Sequence, residues 1–123
     1  MMEDNNIRNK SFKFSIRIVN LCKHLTQTKK EYVISNQLLK AGTSIGANIA
    51  ESEFAASKKD FLNKLYIALK ECNESLYWLE LLYKTEYLSD NEYQSIYGDC
   101  EELKKILVSS TKTLKGTVDF SEF

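Results

Sequence analysis

Apolar side chains recur at alternating intervals of three and four residues in four segments of this chain. This interval is typical of an α-helix with one buried face, because a helix turns every ~3.6 residues whereas a strand repeats every two. The chain has 123 residues, four glycines and no proline, so it lacks the residues that tight hairpins need. The pattern therefore predicts one all-α domain with four helices.

The first two predicted helices carry short apolar stripes. The first begins near Ser11, which would cap it, and ends at residues 27–30; the second runs from about Tyr32 to about Phe54. Their inward positions are Phe14, Ile18, Leu21 and Leu25, and then Leu38, Gly42, Ile45 and Ile49. Gly42 and Gly46 lie one helical turn apart in the second helix, which favours close approach of a neighbouring helix.

The last two predicted helices have longer apolar stripes and clear starting signals. Ser57 with Asp60, and Ser89 with Glu92, place a capping hydroxyl three residues before an acid, and Gly116 marks the end of the fourth helix. Short connections require consecutive helices to be antiparallel. The prediction is an up-down-up-down four-helix bundle over residues 11–116, between a flexible N-terminus (1–10) and a C-terminal tail (117–123) whose order the sequence does not decide.

Cysteine, histidine and hydropathy patterns exclude several classes of protein. The three cysteines are widely spaced with no CxxC pair, and His24 is the sole histidine, so neither a disulfide framework nor a zinc site is expected. We expect the cysteines to be small buried hydrophobic residues. No apolar run is long enough to cross a membrane, and the N-terminus lacks a signal-peptide core. A cytoplasmic protein is the expectation.

The second helix carries small and polar residues in a fixed order, SIGANIAE at residues 44–51, preceded by Gln37 and Leu38. The third helix continues with Asp60-Phe61, Ile67-Ala68, Glu74, Tyr77-Trp78-Leu79 and Leu81-Leu82. These blocks resemble the 23S rRNA-intervening sequence protein family. The resemblance spans roughly residues 11–115 and is weaker in the first helix.

The family resemblance implies a bacterial four-helix bundle that associates into a homopentameric ring and has no settled activity. A branch of similar fold, the accessory variability determinant of diversity-generating retroelements, binds nucleic acid and a reverse transcriptase through a basic surface. The resemblance therefore implies that the partners are further copies of the chain and, as a hypothesis, RNA, DNA or a nucleic-acid-binding protein.

A polar stripe lies beside the apolar stripe of the second helix. With one acid of the third helix, its members are Gln37, Ser44, Asn48, Glu51 and Glu74. The favoured interpretation is a hydrogen-bonded network inside the bundle or between subunits, because unpaired buried polar groups are costly. The alternative is a small-molecule or metal-dependent enzyme that uses Glu51 and Glu74. No Glu-x-x-His motif or calcium-loop pattern is present, so no catalytic residue, cofactor or metal is predicted.

Charge is balanced overall, at 17 basic and 17 acidic residues, but not along the chain. Residues 7–30 contain basic side chains and no acidic ones, whereas the balance is acidic from Glu51 onward. One interpretation is a phosphate-binding surface, whose candidate contacts are Lys10, Lys13, Arg17, Lys23 and His24. The other, slightly favoured, is that this basic helix pairs with acidic helices of a neighbouring subunit.

Apolar residues exceed what one bundle core requires. The side chains predicted to contact another copy are Ile45, Tyr77 and Trp78. The predicted function is therefore a non-enzymatic, oligomeric helical protein, with nucleic-acid association through the basic first helix as the leading biochemical role. A purely structural adaptor for another protein is the alternative.

Overall fold

Four α-helices make up the computed structural model, which describes residues 6–116. They are α1 (Ile7–Gln27), α2 (Val33–Ser52), α3 (Lys58–Lys84) and α4 (Asp90–Lys115). No strand occurs in this part of the chain. The predicted all-α, four-helix architecture is confirmed.

The helices pack in a cycle around one hydrophobic core. α2 lies between α1 and α3, and α4 contacts α3 extensively and α1 over a shorter length. Each helix contributes its regularly spaced apolar positions to the centre, where the largest wholly enclosed side chains are Phe14, Ile18, Leu25, Leu38, Ile45, Leu62, Leu79, Leu82, Leu103 and Leu107. The arrangement is consistent with a four-helix bundle. None of the helices within residues 6–116 is long and apolar enough to cross a membrane.

α1 begins one turn earlier than the sequence predicted. Asn6 caps it by accepting a hydrogen bond from the Arg8 amide at 2.7 Å, so residues 7–10 are helical rather than a flexible arm. Ser11, the predicted cap, lies buried inside the helix and donates its hydroxyl to the Arg8 carbonyl oxygen. Residues 1–5 and the tail 117–123 lie outside the described residues.

An acidic residue that the sequence did not single out caps α2. The carboxylate of Glu31, only 8% exposed, accepts hydrogen bonds from the backbone amides of Val33, Ile34 and Ser35 at 3.2, 3.0 and 2.7 Å. These amides have no partner within the helix, so one carboxylate satisfies three otherwise unpaired donors and its charge complements the helix dipole. α2 therefore begins at Val33 with a fixed entry angle.

The predicted caps of α3 and α4 are confirmed. The Ser57 hydroxyl accepts from the Asp60 amide at 3.1 Å, although the Asp60 carboxylate turns back to the Ala56 amide. At α4, Ser89 and Glu92 exchange two hydrogen bonds, at 2.8 and 3.2 Å. These bonds, the one to the Ser89 backbone first, hold the pKa of Glu92 below its ordinary value. Both helix starts are therefore set by local sequence.

Glycine at position 42 allows α1 and α2 to approach closely. A Cβ atom there would lie 2.8 Å from Cγ1 and 2.9 Å from Cγ2 of the enclosed Ile18. These atoms belong to a rigid β-branched side chain that has no free space to move into. Gly98, in the middle of α4, has open space at the same position. Positions 42 and 98 therefore have opposite structural requirements.

We predict that Gly42→Ala destabilises the chain and that Gly98→Ala stabilises it. Alanine is the better helix former by about 1 kcal/mol, and Gly98→Ala should gain most of that. At position 42, overpacking against Ile18 should outweigh the gain and leave a net loss of about 1 to 2 kcal/mol. Urea unfolding of both variants beside the wild type measures this. A gain at both positions would show that Ile18 moves aside at little cost.

Candidate interaction surfaces

The basic residues of α1 are largely directed at acidic residues of α4 in the same chain. Lys10 Nζ lies 2.6 Å from Glu102 Oε2, and Arg17 Nη1 lies 2.5 Å from Asp99 Oδ2. Arg17 also donates to the Ser95 hydroxyl at 3.0 Å. Lys10 and Arg17 thus have acidic partners within one chain, and their pairing with a neighbouring subunit stays a prediction. Neither side chain presents an uncompensated positive charge to a phosphate.

Three other predicted contacts on α1 are differently placed. Lys13, Lys23 and His24 are exposed, and Lys13 has an interaction partner. His24 lies near the start of α4, where its positive charge, together with that of Lys29, helps to lower the pKa of Glu92 after the larger effect of the Ser89 hydrogen bonds. The five predicted nucleic-acid contacts therefore do not form one uniformly basic surface.

The predicted polar stripe does not form a single network within one chain. Asn48 donates to the backbone oxygen and hydroxyl of Ser44, at 2.9 and 3.1 Å. Glu51 is exposed and pairs with Lys64 at 3.1 Å, while the Gln37 side chain makes no hydrogen bond to any described residue. These side chains are exposed or half-buried. The prediction of a network inside the bundle is therefore wrong, and one between subunits stays a prediction.

The two carboxylates of the alternative enzyme hypothesis have separate local partners. Glu74 accepts a hydrogen bond from Trp78 Nε1 at 3.1 Å, whereas Glu51 pairs with Lys64. Burial, followed by the charge of Glu74, raises the pKa of the neighbouring Glu71. Residues 6–116 contain no group of three or more His, Cys, Asp or Glu that could hold a metal ion. Glu51 and Glu74 are not held by a shared partner.

The cysteines are buried, as predicted, and their surroundings disfavour a thiolate. Cys22 belongs to the core, where Leu21 was expected, and its thiol donates to the Ser35 carbonyl oxygen at 3.3 Å. Burial, with a smaller effect from Glu31, raises the pKa of Cys22 to about 11. The Cys72 hydrogen bond and burial raise the pKa of Cys100 as well. At neutral pH both remain thiols, which are weak nucleophiles.

The residues predicted to contact another copy are placed very differently. Ile45 is 0% exposed and lies in the chain's own core, so its assignment to a subunit contact is wrong. The outward positions of α2 are instead neighbouring residues such as Ala47. Tyr77 is 59% exposed, and its ring lies edge-on to that of the half-buried Trp78, with centroids 5.0 Å apart. We call Tyr66, Tyr77 and Trp78 the α3 outer face.

A second apolar surface, which the sequence interpretation missed, lies outside α1 and α2. Phe12 is 68% exposed and Ile16 is 48% exposed. Beside them runs a groove of about 350 Å³, whose lining includes the small residues Ser15, Thr43, Gly46, Ala47 and Ala50. We call Phe12, Ile16 and these small residues the α1–α2 outer face. Two exposed large apolar side chains beside a groove lined mostly by small residues, with Arg8 also in its lining, suit the close approach of another helix.

The α1–α2 outer face leaves a sequence signal of its own. Phe12, Ile16 and Val19 repeat at intervals of four and three residues. They lie on a different side of α1 from its core stripe. Thr43, Ala47 and Ala50 do the same on α2. A second stripe on both helices is what a protein with two buried sides requires.

Comparisons with known proteins agree with this architecture. The family model described as 23S rRNA-intervening sequence protein matches residues 3–109. The chain is also similar to the crystal structure of a protein of unknown function from the S23 ribosomal protein family of Bacteroides thetaiotaomicron. The two share 55% sequence identity, with a TM-score of 0.85, and the alignment covers 86% of this chain and 98% of that chain. No protein with a curated description matches the chain.

Proposed function

Because this chain belongs to the 23S rRNA-intervening sequence protein family, we propose that it is a non-enzymatic scaffold whose copies assemble into a homopentameric ring. Each copy would be an up-down-up-down bundle. Two ion pairs between helix ends support antiparallel neighbours: Arg8, at the start of α1, contacts Glu53 just beyond α2, and Lys64, near the start of α3, contacts Glu51. A pentamer is the assembly that the family resemblance implies.

The observation that carries the proposal is exposed apolar surface on two different sides of the molecule. The α1–α2 outer face is formed by α1 and α2, whereas the α3 outer face is formed by α3, so the two faces belong to different helices of the bundle. One face can therefore contact the other face of the next copy. Such a head-to-tail contact is heterologous, and it closes into a ring when the rotation between copies permits.

Charge around the two faces supports the same pairing. The exposed Lys40 and Lys13 flank the α1–α2 outer face, whereas Glu71 and Glu74 flank the α3 outer face. Glu71 is half-buried beside Glu74, and this like-charged neighbour adds to the effect of burial in raising its pKa. A lysine from the next copy would offset the repulsion between the Glu71 and Glu74 carboxylates. We expect such pairs to fix orientation more than affinity.

Light scattering coupled to size exclusion tests the proposed assembly. For the full chain at tens of micromolar, we expect the molar mass of a pentamer of 14.2 kDa subunits. The mass should fall on dilution only at much lower concentration, because burial of apolar surface favours association. A monomer mass at high micromolar concentration would contradict the proposal even though the helical fold stands.

Association with RNA or DNA is a second candidate function, and the exposed basic end of α1 favours it. Lys23 and His24 are exposed there, close to Lys29 and Lys30 in the following turn. A ring would repeat this cluster once per subunit and so raise its effect on a polyanion.

We predict that changing Lys23, Lys29 and Lys30 to Gln weakens binding of a labelled single-stranded RNA at low salt and lowers the salt slope by about 2 per subunit in contact. The matched control changes Lys104, Lys105 and Lys112 of α4, which are also on the surface. Fluorescence anisotropy across a salt series gives both quantities. If the wild type does not bind RNA at low salt, this second candidate fails.

A further inference from the structure

Three tyrosines of α3 and α4 form a line of contacting rings at the seam between these helices. The rings of Tyr83 and Tyr93 are stacked, with centroids 4.1 Å apart and 5° between their planes. The Tyr97 ring follows, 4.9 Å from that of Tyr93 and tilted by 45°. All three side chains are only half-buried, so part of each ring meets solvent. The seam therefore presents a continuous aromatic surface.

Carboxylates surround this tyrosine line. Glu80 and Glu101 lie close enough to Tyr93 and Tyr97 that their charges, after the larger effect of burial, help to raise the pKa of both phenols. Both glutamates are exposed, and neither forms an ion pair with another residue in the 6–116 range. At the far end, Asp90 accepts a hydrogen bond from the Tyr83 hydroxyl at 2.5 Å. The aromatic surface thus lies beside carboxylates that are not held in ion pairs with other described residues, although Lys104 and Lys105 lie one helical turn from Glu101.

One end of the tyrosine line already contacts a cation of the same chain. The ammonium group of Lys84 lies 5.8 Å from the centroid of the Tyr83 ring, within the range of a cation–π contact. The middle and other end of the line, at Tyr93 and Tyr97, combine ring faces with two carboxylates. A planar guanidinium suits this combination better than an ammonium, because it stacks on rings and also donates paired hydrogen bonds to carboxylates.

We propose that Tyr93, Tyr97, Glu80 and Glu101 bind an arginine side chain in a basic segment of another protein. The chain has only two arginines, Arg8 and Arg17, and both are engaged within their own subunit, with Glu53 and Asp99. The guanidinium therefore comes from a different molecule. A nucleic acid is the wrong occupant, because its phosphates would be repelled by Glu80 and Glu101.

The test uses the full chain and a fluorescein-labelled peptide of alternating glycine and arginine, beside a counterpart with citrulline in place of arginine. Citrulline keeps the planar shape and removes the charge. By anisotropy at low salt, the arginine peptide should bind and the citrulline peptide should not. The double variant E80Q/E101Q should weaken binding about tenfold, and Tyr97→Leu about threefold.

A matched control separates a specific site from overall charge. The double variant E51Q/E53Q removes the same number of charges from the end of α2, where both glutamates are exposed, and should change the affinity less than about twofold, as expected for distant screened charges. The Ala47→Arg variant, whose change lies in the α1–α2 groove, should still bind the arginine peptide and not the citrulline peptide, so failed assembly and failed arginine binding are distinguishable. Three results would each overturn the proposal. They are equal effects of the two double variants, equal binding of the two peptides, and tighter binding of a single-stranded RNA that depends on Tyr97.

Discussion

Ile45→Glu is expected to unfold the chain rather than to release intact subunits. Ile45 is wholly enclosed in the core of its own chain, together with Ile18 and Leu38. A carboxylate there would either stay charged without a partner or become protonated, and either state costs several kcal/mol. Because a domain of this size is stable by only about 5 to 15 kcal/mol, the cost removes most of the folding free energy.

Circular dichroism and thermal melting measure this effect directly. The Ile45→Glu variant should show little helix at 25 °C, while the conservative Ile45→Val should remain folded and lose about 1 kcal/mol. The sequence-based assignment of Ile45 to a subunit contact also allows a second outcome, namely a folded chain that no longer associates. Observation of such a monomer would mean that Ile45 does not lie in the core.

Ala47→Arg is expected to break the assembly and leave the fold intact, in contrast to Ile45→Glu. Ala47 is exposed on α2 and lines the groove of the α1–α2 outer face. Arginine forms helices nearly as well as alanine, so the subunit should keep its structure. In a close helix contact, however, the long charged side chain would fill the groove and lose its water, at a cost of several kcal/mol.

The expected result is a monomer mass in sedimentation velocity, with an unchanged helical spectrum. Gln94→Arg is the matched control, because Gln94 is exposed on α4, away from the groove, and the change alters the charge equally. It should retain the mass of the wild type. If Ala47→Arg has the same assembly as Gln94→Arg, the copies associate through another surface.

Much of the fold follows from local sequence, and the reasons are physical. Ser57 and Ser89 start α3 and α4 because their hydroxyls accept amide hydrogen bonds that a helix leaves unpaired, and such bonds involve only neighbouring residues. At α1, both Asn6 and Ser11 are good caps. Packing of the preceding turn, including the partly buried Ile7, extends the helix back to Asn6.

The interaction surfaces were harder to predict because periodicity shows that a stripe is buried without showing what buries it. Ile45 and Ala47 lie on opposite sides of α2, one facing the chain's own core and the other facing outward. Only packing of α2 between α1 and α3 distinguishes them. Charge has the same ambiguity. The basic character of α1 is evident from the sequence, but the pairing of Lys10 and Arg17 with α4 of the same chain is a tertiary result.

Hydroxyl-radical footprinting of Phe12 and Ile16 is the most direct test of the claim that copies share the α1–α2 outer face. Both side chains are exposed in the single chain, so radicals should modify them readily in the Ala47→Arg monomer and several times more slowly in the assembled wild type. Phe54, also exposed but beyond the end of α2, serves as the internal reference. Equal modification of Phe12 and Ile16 in both proteins would contradict the account, because that face would then be open to water in every copy.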